Sequence, residues 1–587
     1  MNRTPDFVYE SRNAQLALHN PTAVYTARSI DEVLPVLAQA DADVARGKIA
    51  AAYIAYEAAP AFDSAFECHP SGEMPLVWIG VFDEDETTIR PQSDKTSFQF
   101  GEWIAGISKQ DYHAALKTIR ACIAAGETYQ VNYTYPLETA FEGDAYAAYE
   151  SLRDAQGGGC TAYVNAGRFQ IVSASPELFF RLENSLITSR PMKGTRPRGL
   201  WIAHDVSLAD ELHLSQKDRA ENVMIVDMIR NDLGRIAEPG TVSVENLFAV
   251  EQYPTVWQMT STVQARTSRS VPEILGAMFP CGSVTGAPKV QTMHHIRVLE
   301  PAPRGAYCGA IGWWKSDGTA EFNVAIRTMT IDRNHGTARY SVGSGITWDS
   351  VANDEFDECG TKAAILNHTQ PEFDLLESLL FDGEYFLLED HLNRLTGSAR
   401  YFDISINIDA VRAALIERSA TWGDGPHKVR LLVNQLGVIR IESEPAPPIP
   451  PVTLGLSNTP VDSTDPFLYH KTTHRTAYEI ALASRPDCDD VLLLNERGEL
   501  TESTRANLVV KIGDALYTPP VECGLLSGVF REQLIDTEKI VERVLYPHDL
   551  DDADGIWIIN SVRKWIDVDY IDRRKKRLHE SDSTDAP

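Results

Sequence analysis

The chain is poor in cysteine, in positive charge and in long apolar runs, and each shortage removes a class of protein. Eight cysteines in 587 residues are scattered, with no CxxC pair and no His/Cys cluster at zinc spacing. They supply neither a disulfide framework nor a structural zinc, and reduced thiols are the default. No run approaches the roughly 20 apolar residues that a membrane helix requires. The stretch after Met1, NRTPDFVYESRNAQ, has no apolar core of signal-peptide length, so a cytoplasmic protein without a membrane partner is expected. Lysine and arginine number 54 against 83 aspartates and glutamates, a net charge of -29. That balance excludes a sequence-independent grip on nucleic acid, which needs a basic surface. It also means that an anionic substrate would need cations concentrated locally. The one basic run, RRKKR at Arg573–Arg577, reads as a solvated terminal feature.

What is present is ordinary for a globular chain, 43% hydrophobic and 23% charged, and a prior of roughly 150 residues per domain suggests about four compact units. Punctuation divides them. ILNHTQPEF breaks the pattern near His368, and the prolines of EPAPPIPPV, Glu444–Val452, favour an extended linker. The expected domains are 1–368, with a core of about 100–368, and 372–587, split into a small lobe of about 372–443, a linker 444–452 and a large lobe of about 453–587. Strand-like TAYVNAGRFQIVSA and ARYSVGSGITW alternate with helix-like DYHAALKTIRACIAAG, so the class is α+β or α/β.

Several residues carry chemistry by type and place. SRPMKGTRPRG, Ser189–Gly199, sets one lysine, Lys193, in a loop after the strand-like ELFFRLENSLIT. In KDRAENVMIVDMIRNDLGRIA, Val223, Val226, Ile229 and Leu233 mark a buried helical face, and Glu221 heads a second stripe with Ile225 and Met228. A carboxylate aligned with apolar residues is costly to bury unless something positive meets it. In NDEFDECGTKAAIL, Glu355, Glu358 and Lys362 share a helical face. Two such helices could converge on magnesium, which keeps waters and needs only one or two protein carboxylates. Spacing alone favours surface pairing of the glutamates with Lys362. PCGSVTGAPK, Pro280–Lys289, and VGSGI, Val342–Ile346, offer backbone that can approach an anion closely.

Taken in order, GETYQVNYT, SPELFF, PMKGTRPRG, ENVMIVDMIRNDLGRI, GSVTGAPK, YCGAIGWW, AIRTM and GSGI resemble the signature blocks of the chorismate-utilising enzymes, strongly over about 100–368. The resemblance implies a Mg²⁺-dependent enzyme on a large α/β sandwich acting on chorismate. Members that make aminodeoxychorismate carry PIKGT where PMKGT stands here, and anthranilate-forming and isochorismate-type members usually carry alanine, so Lys193 discriminates. Water-adding members place a lysine where this chain has Gln130, so water activation is not expected. An amine nucleophile must be neutral, and lysine ordinarily titrates near 10.4. By the same resemblance Glu177 is the general acid, Glu221 and Glu358 ligate Mg²⁺, and Ser283, Thr285, Tyr307, Arg327, Lys362 and the Gly343–Gly345 backbone bind substrate. Gln258 stands where the family often has histidine.

From about Glu372, FDLLESLLFDGEYFLLEDHLNRL, YHKTTHRTAYEIAL, NERGELTESTRANLVV and GLLSGVFREQL resemble the fold-type IV pyridoxal-phosphate enzymes. This implies a two-lobed domain in which Arg394 and the Gly528–Val529 backbone hold the phosphate. Lys471 is the cofactor lysine and proton carrier, and Glu502 the partner of the pyridine nitrogen. The two resemblances together imply synthesis of 4-amino-4-deoxychorismate from chorismate and ammonia, then pyruvate elimination to 4-aminobenzoate for folate. No glutaminase block is visible, so a separate glutamine amidotransferase is the expected ammonia source, and a homodimer through the second domain is compatible with the family. Two alternatives stand: an anthranilate synthase joined to an aminotransferase, and an inert chorismate-binding scaffold.

Overall fold

The strand Ile49–Ile54, IAAAYI, is buried along its whole length, and its neighbours explain why it alternates nothing polar. A pleated strand sends successive side chains to opposite faces. Ala50, Ala52 and Ile54 enter a core shared with Val33 and Leu37 of the helix Ile30–Val44 and with Ile225 and Ile229 of the helix Gln216–Gly234. Ile49, Ala51 and Tyr53 meet Phe7, Tyr9, Val164 and Ile171, which belong to a second sheet. Beyond that sheet, Tyr163 and Val172 pack on Tyr112, Leu116 and Ile119 of the helix Lys109–Ala124. The order is therefore helices, sheet, sheet, helices. This is the expected α/β sandwich, built from two ten-stranded sheets.

The computed structural model describes residues 4–84, 97–367, 371–446 and 451–572. The RRKKR run, the break at His368 and the middle of the proline-rich linker lie outside the described residues. The chain divides into two compact units, Met1–Arg198 with Leu208–Gln370, and Pro371–Pro587 with Gly199–Ser207. No helix among the described residues is long and apolar enough to cross a membrane.

In the first unit the long strand Gln130–Gly143 pairs antiparallel with Thr337–Ile346, setting Asn132 opposite Gly345 and Thr134 opposite Gly343. The helix Gln216–Gly234 buries Ile225, Val226, Ile229 and Leu233, but Val223 is exposed. The 3.6-residue period carries Val223 off the covered stripe. Lys193 lies in a strand, Met192–Pro197, and not in a loop. The strand pairs with Val256–Arg266, and its register shifts between Met192 and Thr195.

The second unit begins with a four-stranded antiparallel sheet that includes Leu375–Asp382, His427–Val433 and Ile439–Pro445. The helices Leu388–Tyr401 and Ile408–Ser419 cover it through Leu392, Leu395, Val411 and Leu415. An eight-stranded sheet starts at Val452, with parallel pairing of Val452–Leu456 to both Asp490–Leu494 and Lys564–Tyr570. The two sheets form the two lobes that the fold-type IV resemblance implies.

Candidate active sites

A cavity of about 240 Å³ in the first unit gathers side chains that are far apart in the chain. Glu177, Lys193, Glu221, Ser283 and Tyr307 line it, together with Arg327, Gly343, Gly345, Glu358 and Lys362. Thr285 does not. It is fully buried, and its hydroxyl donates to the carbonyls of Cys281 and Gly282 at 3.1 and 3.2 Å.

Lys193 is aimed by a local irregularity in the sheet. Gly194 adopts φ +96°, a left-handed conformation that glycine takes without strain, and the register shift at this point turns the strand. Gln258 fixes the irregularity from the neighbouring strand. Its Nε2 donates to the Gly194 carbonyl at 2.8 Å, and its Oε1 accepts from the Thr195 hydroxyl at 3.0 Å. A methyl group on Gly345 would collide with Lys193 Nζ and press on Gln130 Nε2, so Nζ rests on bare backbone. Gln130 is wholly buried, and neither atom of its amide has a hydrogen-bond partner.

Glu177 comes from the turn between the strands Phe169–Ser175 and Leu178–Glu183. Its backbone N–H donates to Ser175 Oγ, which itself donates to the Val324 carbonyl. Burial pushes its carboxyl up to about 7, against the opposing pull of the Ser283 hydrogen bond and the Lys193 charge. Its Oε1 has no hydrogen-bond partner. A carboxyl of this kind is partly protonated near neutrality and has an oxygen free to meet a ligand.

Two helices bring carboxylates to the cavity, Glu221 from Gln216–Gly234 and Glu355 and Glu358 from Ala352–Ala363. Lys362 Nζ lies 2.6 Å from Glu358 Oε1 and donates to the Gly343 carbonyl at 2.9 Å. The pair expected from spacing therefore exists, but it faces the cavity. Burial raises the Glu221 carboxyl, opposed by the charges of Lys193 and Lys217. A carboxyl raised by burial, lining the same cavity as Glu355 and the Lys362-paired Glu358, is the donor type an oxygen-seeking divalent cation takes. Arg327 is the anion-seeking counterpart. It has φ +48°, a costly conformation for a side-chain-bearing residue, and burial depresses its pKa. It hydrogen-bonds the Gln156 amide, and among the described residues no carboxylate pairs with it.

Lys217 also lines the cavity and was not singled out by motif. Its i,i+4 relation to Glu221 was the available signal. Asn132 and Tyr340 reach the cavity through strand register alone.

In the second unit a cavity of about 500 Å³ is lined by Arg394, Lys471, Glu502, Gly528 and Val529, all five of the residues named from sequence. Burial first, and then the Arg394 charge, push Lys471 down to about 8, against Glu377. Burial pushes Glu502 up to about 7. Its oxygens accept from the Tyr478 hydroxyl at 2.8 Å, Asn507 Nδ2 at 2.9 Å and the Leu526 N–H at 3.1 Å. The helix Val529–Asp536 starts at Gly528, where any side chain would strike Asn507 Oδ1. Arg394 clamps Glu377 with two hydrogen bonds of 2.9 and 2.6 Å, and its third nitrogen donates to the Ser527 carbonyl at 3.1 Å. A depressed lysine, a fixed acid and a helix start at one cavity suit an aldehyde cofactor bearing a ring nitrogen and a phosphate.

Comparison with known proteins agrees with both halves. Residues 4–368 match the family model "chorismate binding enzyme", and residues 374–571 match "Amino-transferase class IV". The chain is 42% identical over 264 residues to the aminodeoxychorismate synthase of Streptomyces griseus, covering 44% of this chain and 36% of that one. It is 40% identical over 268 residues to aminodeoxychorismate synthase component 1 of Salmonella typhimurium, covering 45% and 59%. The chain thus spans less than two thirds of the length of these relatives. The crystal structure of anthranilate synthase component I from Streptococcus pneumoniae shares the fold of the first unit, with 24% identity, a TM-score of 0.52 and coverage of 63% and 93%. Two ten-stranded sheets, the ordered blocks and a family match over most of the chain converge: this protein belongs to the chorismate-binding enzymes, with a class IV amino-transferase domain on the same polypeptide.

Proposed function

We propose that the chain converts chorismate and ammonia to 4-amino-4-deoxychorismate in its first unit, and eliminates pyruvate from that product in its second to give 4-aminobenzoate for folate synthesis. The observation that carries the reading is Lys193, held against the Gly345 backbone in the same cavity as Glu177. The relatives named above as aminodeoxychorismate synthases support it.

In the first reaction Arg327, Tyr307, Ser283 and the Gly343–Gly345 backbone bind the substrate carboxylates. Glu221 and Glu358 would hold a magnesium ion, whose bound charge compensates a substrate carboxylate. Lys193 Nζ attacks ring carbon C2 as the C4 hydroxyl leaves, and Glu177 gives that hydroxyl a proton so that water departs. Ammonia then bonds to C4 as the C2–N bond to Lys193 breaks, which restores the lysine. Gln130 carries no basic nitrogen at the place where water-adding relatives have a lysine, which favours ammonia over water.

In the second reaction Glu502 would face the ring nitrogen of pyridoxal phosphate, Gly528 and Val529 the phosphate, and Lys471 the aldehyde. Arg394 would share its guanidinium between Glu377 and the phosphate. The bound cofactor supplies an electron sink. Lys471 would take the proton from C4, and its lowered pKa suits that transfer near neutrality; cleavage of the C3–O bond then releases the enolpyruvyl group as pyruvate and leaves the ring aromatic. Ammonia in the cell would come from a separate glutamine amidotransferase, and the second domain would support a homodimer.

The test is one incubation of the chain with chorismate, ammonium, magnesium and pyridoxal phosphate, with products followed by mass. Aminodeoxychorismate should precede 4-aminobenzoate and pyruvate, and EDTA should stop the first product. Anthranilate as the sole aromatic product would overturn the reading.

A further inference from the structure

Away from both cavities, three side chains with soft and borderline ligand atoms meet on the first unit. Cys122 lies in the last turn of the helix Lys109–Ala124, Glu127 just beyond it, and His295 on the helix Lys289–Leu299. Cys122 Sγ is 3.9 Å from His295 Nδ1, and His295 Nε2 is 3.2 Å from Glu127 Oε2. One ligand atom from each residue can be chosen so that all three lie within 4.8 Å of one another. Gln291, one turn before His295, brings its amide within 3.3 Å of the ring.

We propose that Cys122, Glu127 and His295 form a binding site for a thiophilic divalent cation of the zinc type, distinct from the glutamate-lined cavity. Tetrahedral zinc with bonds of about 2.0–2.3 Å separates neighbouring donors by roughly 3.4–3.6 Å; Cys122 and Glu127 now face different ring nitrogens, so a His295 ring rotation must bring one nitrogen to both, from a starting spread within 4.8 Å. A thiolate, an imidazole and one carboxylate select such a cation over magnesium, which prefers oxygen alone. Glu127 is open to solvent and His295 nearly covered, which gives an entry path and a fixed ligand. With Nδ1 turned to the cation, Nε2 keeps the Gln291 amide as a neighbour, as metal-bound imidazoles require.

The same order of groups also describes a thiol-hydrolase relay. Two features speak for the cation. Cys122 sits in the C-terminal turn of its helix, the end of negative potential, which attracts a cation and disfavours a bare thiolate. None of the three residues lines either cavity described above, so neither of those cavities seats a hydrolase substrate at this cluster.

The site has a consequence for the first cavity. Thr128 Oγ1 meets Thr292 Oγ1 at 2.9 Å, and the Tyr129 N–H donates to the Ala287 carbonyl at 2.7 Å. This line of bonds continues to Gln130 and Asn132 on one side and to the Ser283 loop on the other. A cation bridging Glu127 and His295 would staple its outer end.

The test uses the full chain, loaded with pyridoxal phosphate and held in excess magnesium. Zinc chloride is added, excess is removed, and bound zinc is counted. In parallel, iodoacetamide labelling of each cysteine is timed by mass spectrometry. Zinc should slow labelling of Cys122 at least tenfold and leave the half-buried Cys68 and Cys488 unchanged. One zinc per chain should be lost in Cys122→Ser, and zinc affinity should fall ten- to a hundredfold or more in His295→Asn and in the surface variant Glu127→Gln. Equal zinc content in Cys122→Ser and the unaltered chain, or protection of Cys122 that persists in both other variants, would overturn the proposal. In that case Glu127 and His295 are a surface ion pair with a cysteine nearby.

Discussion

The two units each bury a glutamate whose carboxyl is pushed to about 7, and the two residues are equipped for opposite tasks. Glu177 in the first cavity leaves Oε1 without a partner. Glu502 in the second has both oxygens engaged by three donors. The same titration point therefore hides a difference in freedom. A carboxyl with an open oxygen can hand its proton to a ligand, whereas one held by a hydroxyl, an amide and a backbone N–H is fixed as a partner for a cationic ring nitrogen. The lysines differ in a parallel way. Lys471 is depressed to about 8 chiefly by burial, while Lys193 is placed by an irregular strand and the bare backbone of Gly345. Burial sets the shift; hydrogen bonding decides what the group can then do.

The comparison breaks most severely if the lysines are not independent. Lys193→Ala should abolish aminodeoxychorismate formation from ammonium yet leave elimination from supplied aminodeoxychorismate intact. Lys471→Ala should do the reverse, lowering elimination roughly 10²–10⁴-fold, and separate assays on the two substrates measure both. Next in size, Glu177→Gln should lower the first rate by roughly 10²–10⁴-fold. In the unaltered protein that rate, compared at constant free ammonia, should fall as pH rises through about 7, because only the protonated carboxyl serves as acid. A flat profile across pH 6–8 would remove Glu177 from that role.

Smaller effects sharpen the contrast. Glu502→Gln leaves one amide oxygen to serve donors that now share two, and should weaken pyridoxal-phosphate retention by about 1–3 kcal/mol, read by equilibrium dialysis. Smallest is an effect on stability. The Glu177 carboxyl has a folded pKa above its unfolded one, so the folded state loses stability as pH rises from about 4.5 to about 7. Glu177→Gln should therefore stabilise the chain by about 1–3 kcal/mol at pH 8 and by nothing at pH 4, as denaturant midpoints would show. Glu502 is raised as far and loses stability over the same range, but Glu502→Gln also gives up one acceptor oxygen used by its three donors, so its gain at pH 8 should be the smaller of the two.

Much of this arrangement was legible in the residues. The ordered blocks pointed to the sandwich, both lysines and ten of the residues that line the first cavity, because glycine, charged and hydroxyl residues in fixed order report on backbone approach and charge. What depended on register was not legible. Lys193 reads as a loop residue from proline and glycine nearby, yet it lies in a strand bent at Gly194. Gln258 as the clamp of that bend follows from its pairing opposite Thr195, 63 positions away. Thr285 reads as a ligand-facing hydroxyl in its loop, but the loop folds back so that its own carbonyls take it. Arg394 is recognisable as a phosphate arginine, while its clamp on Glu377 joins a helix to a strand that sequence does not align. Local chemistry shows through a sequence, and partnerships across sheets do not.

The pairing of Gln130–Gly143 with Thr337–Ile346 has a consequence for what evolution can alter here. The floor of the first cavity is the ladder itself, with Asn132 facing Gly345 across it. Point substitutions along that strand pair change single contacts. An insertion or deletion of one residue would exchange its inner and outer faces, burying what now meets solvent and expelling the whole substrate platform at once. Loops that join the elements can drift in length, and these two strands cannot.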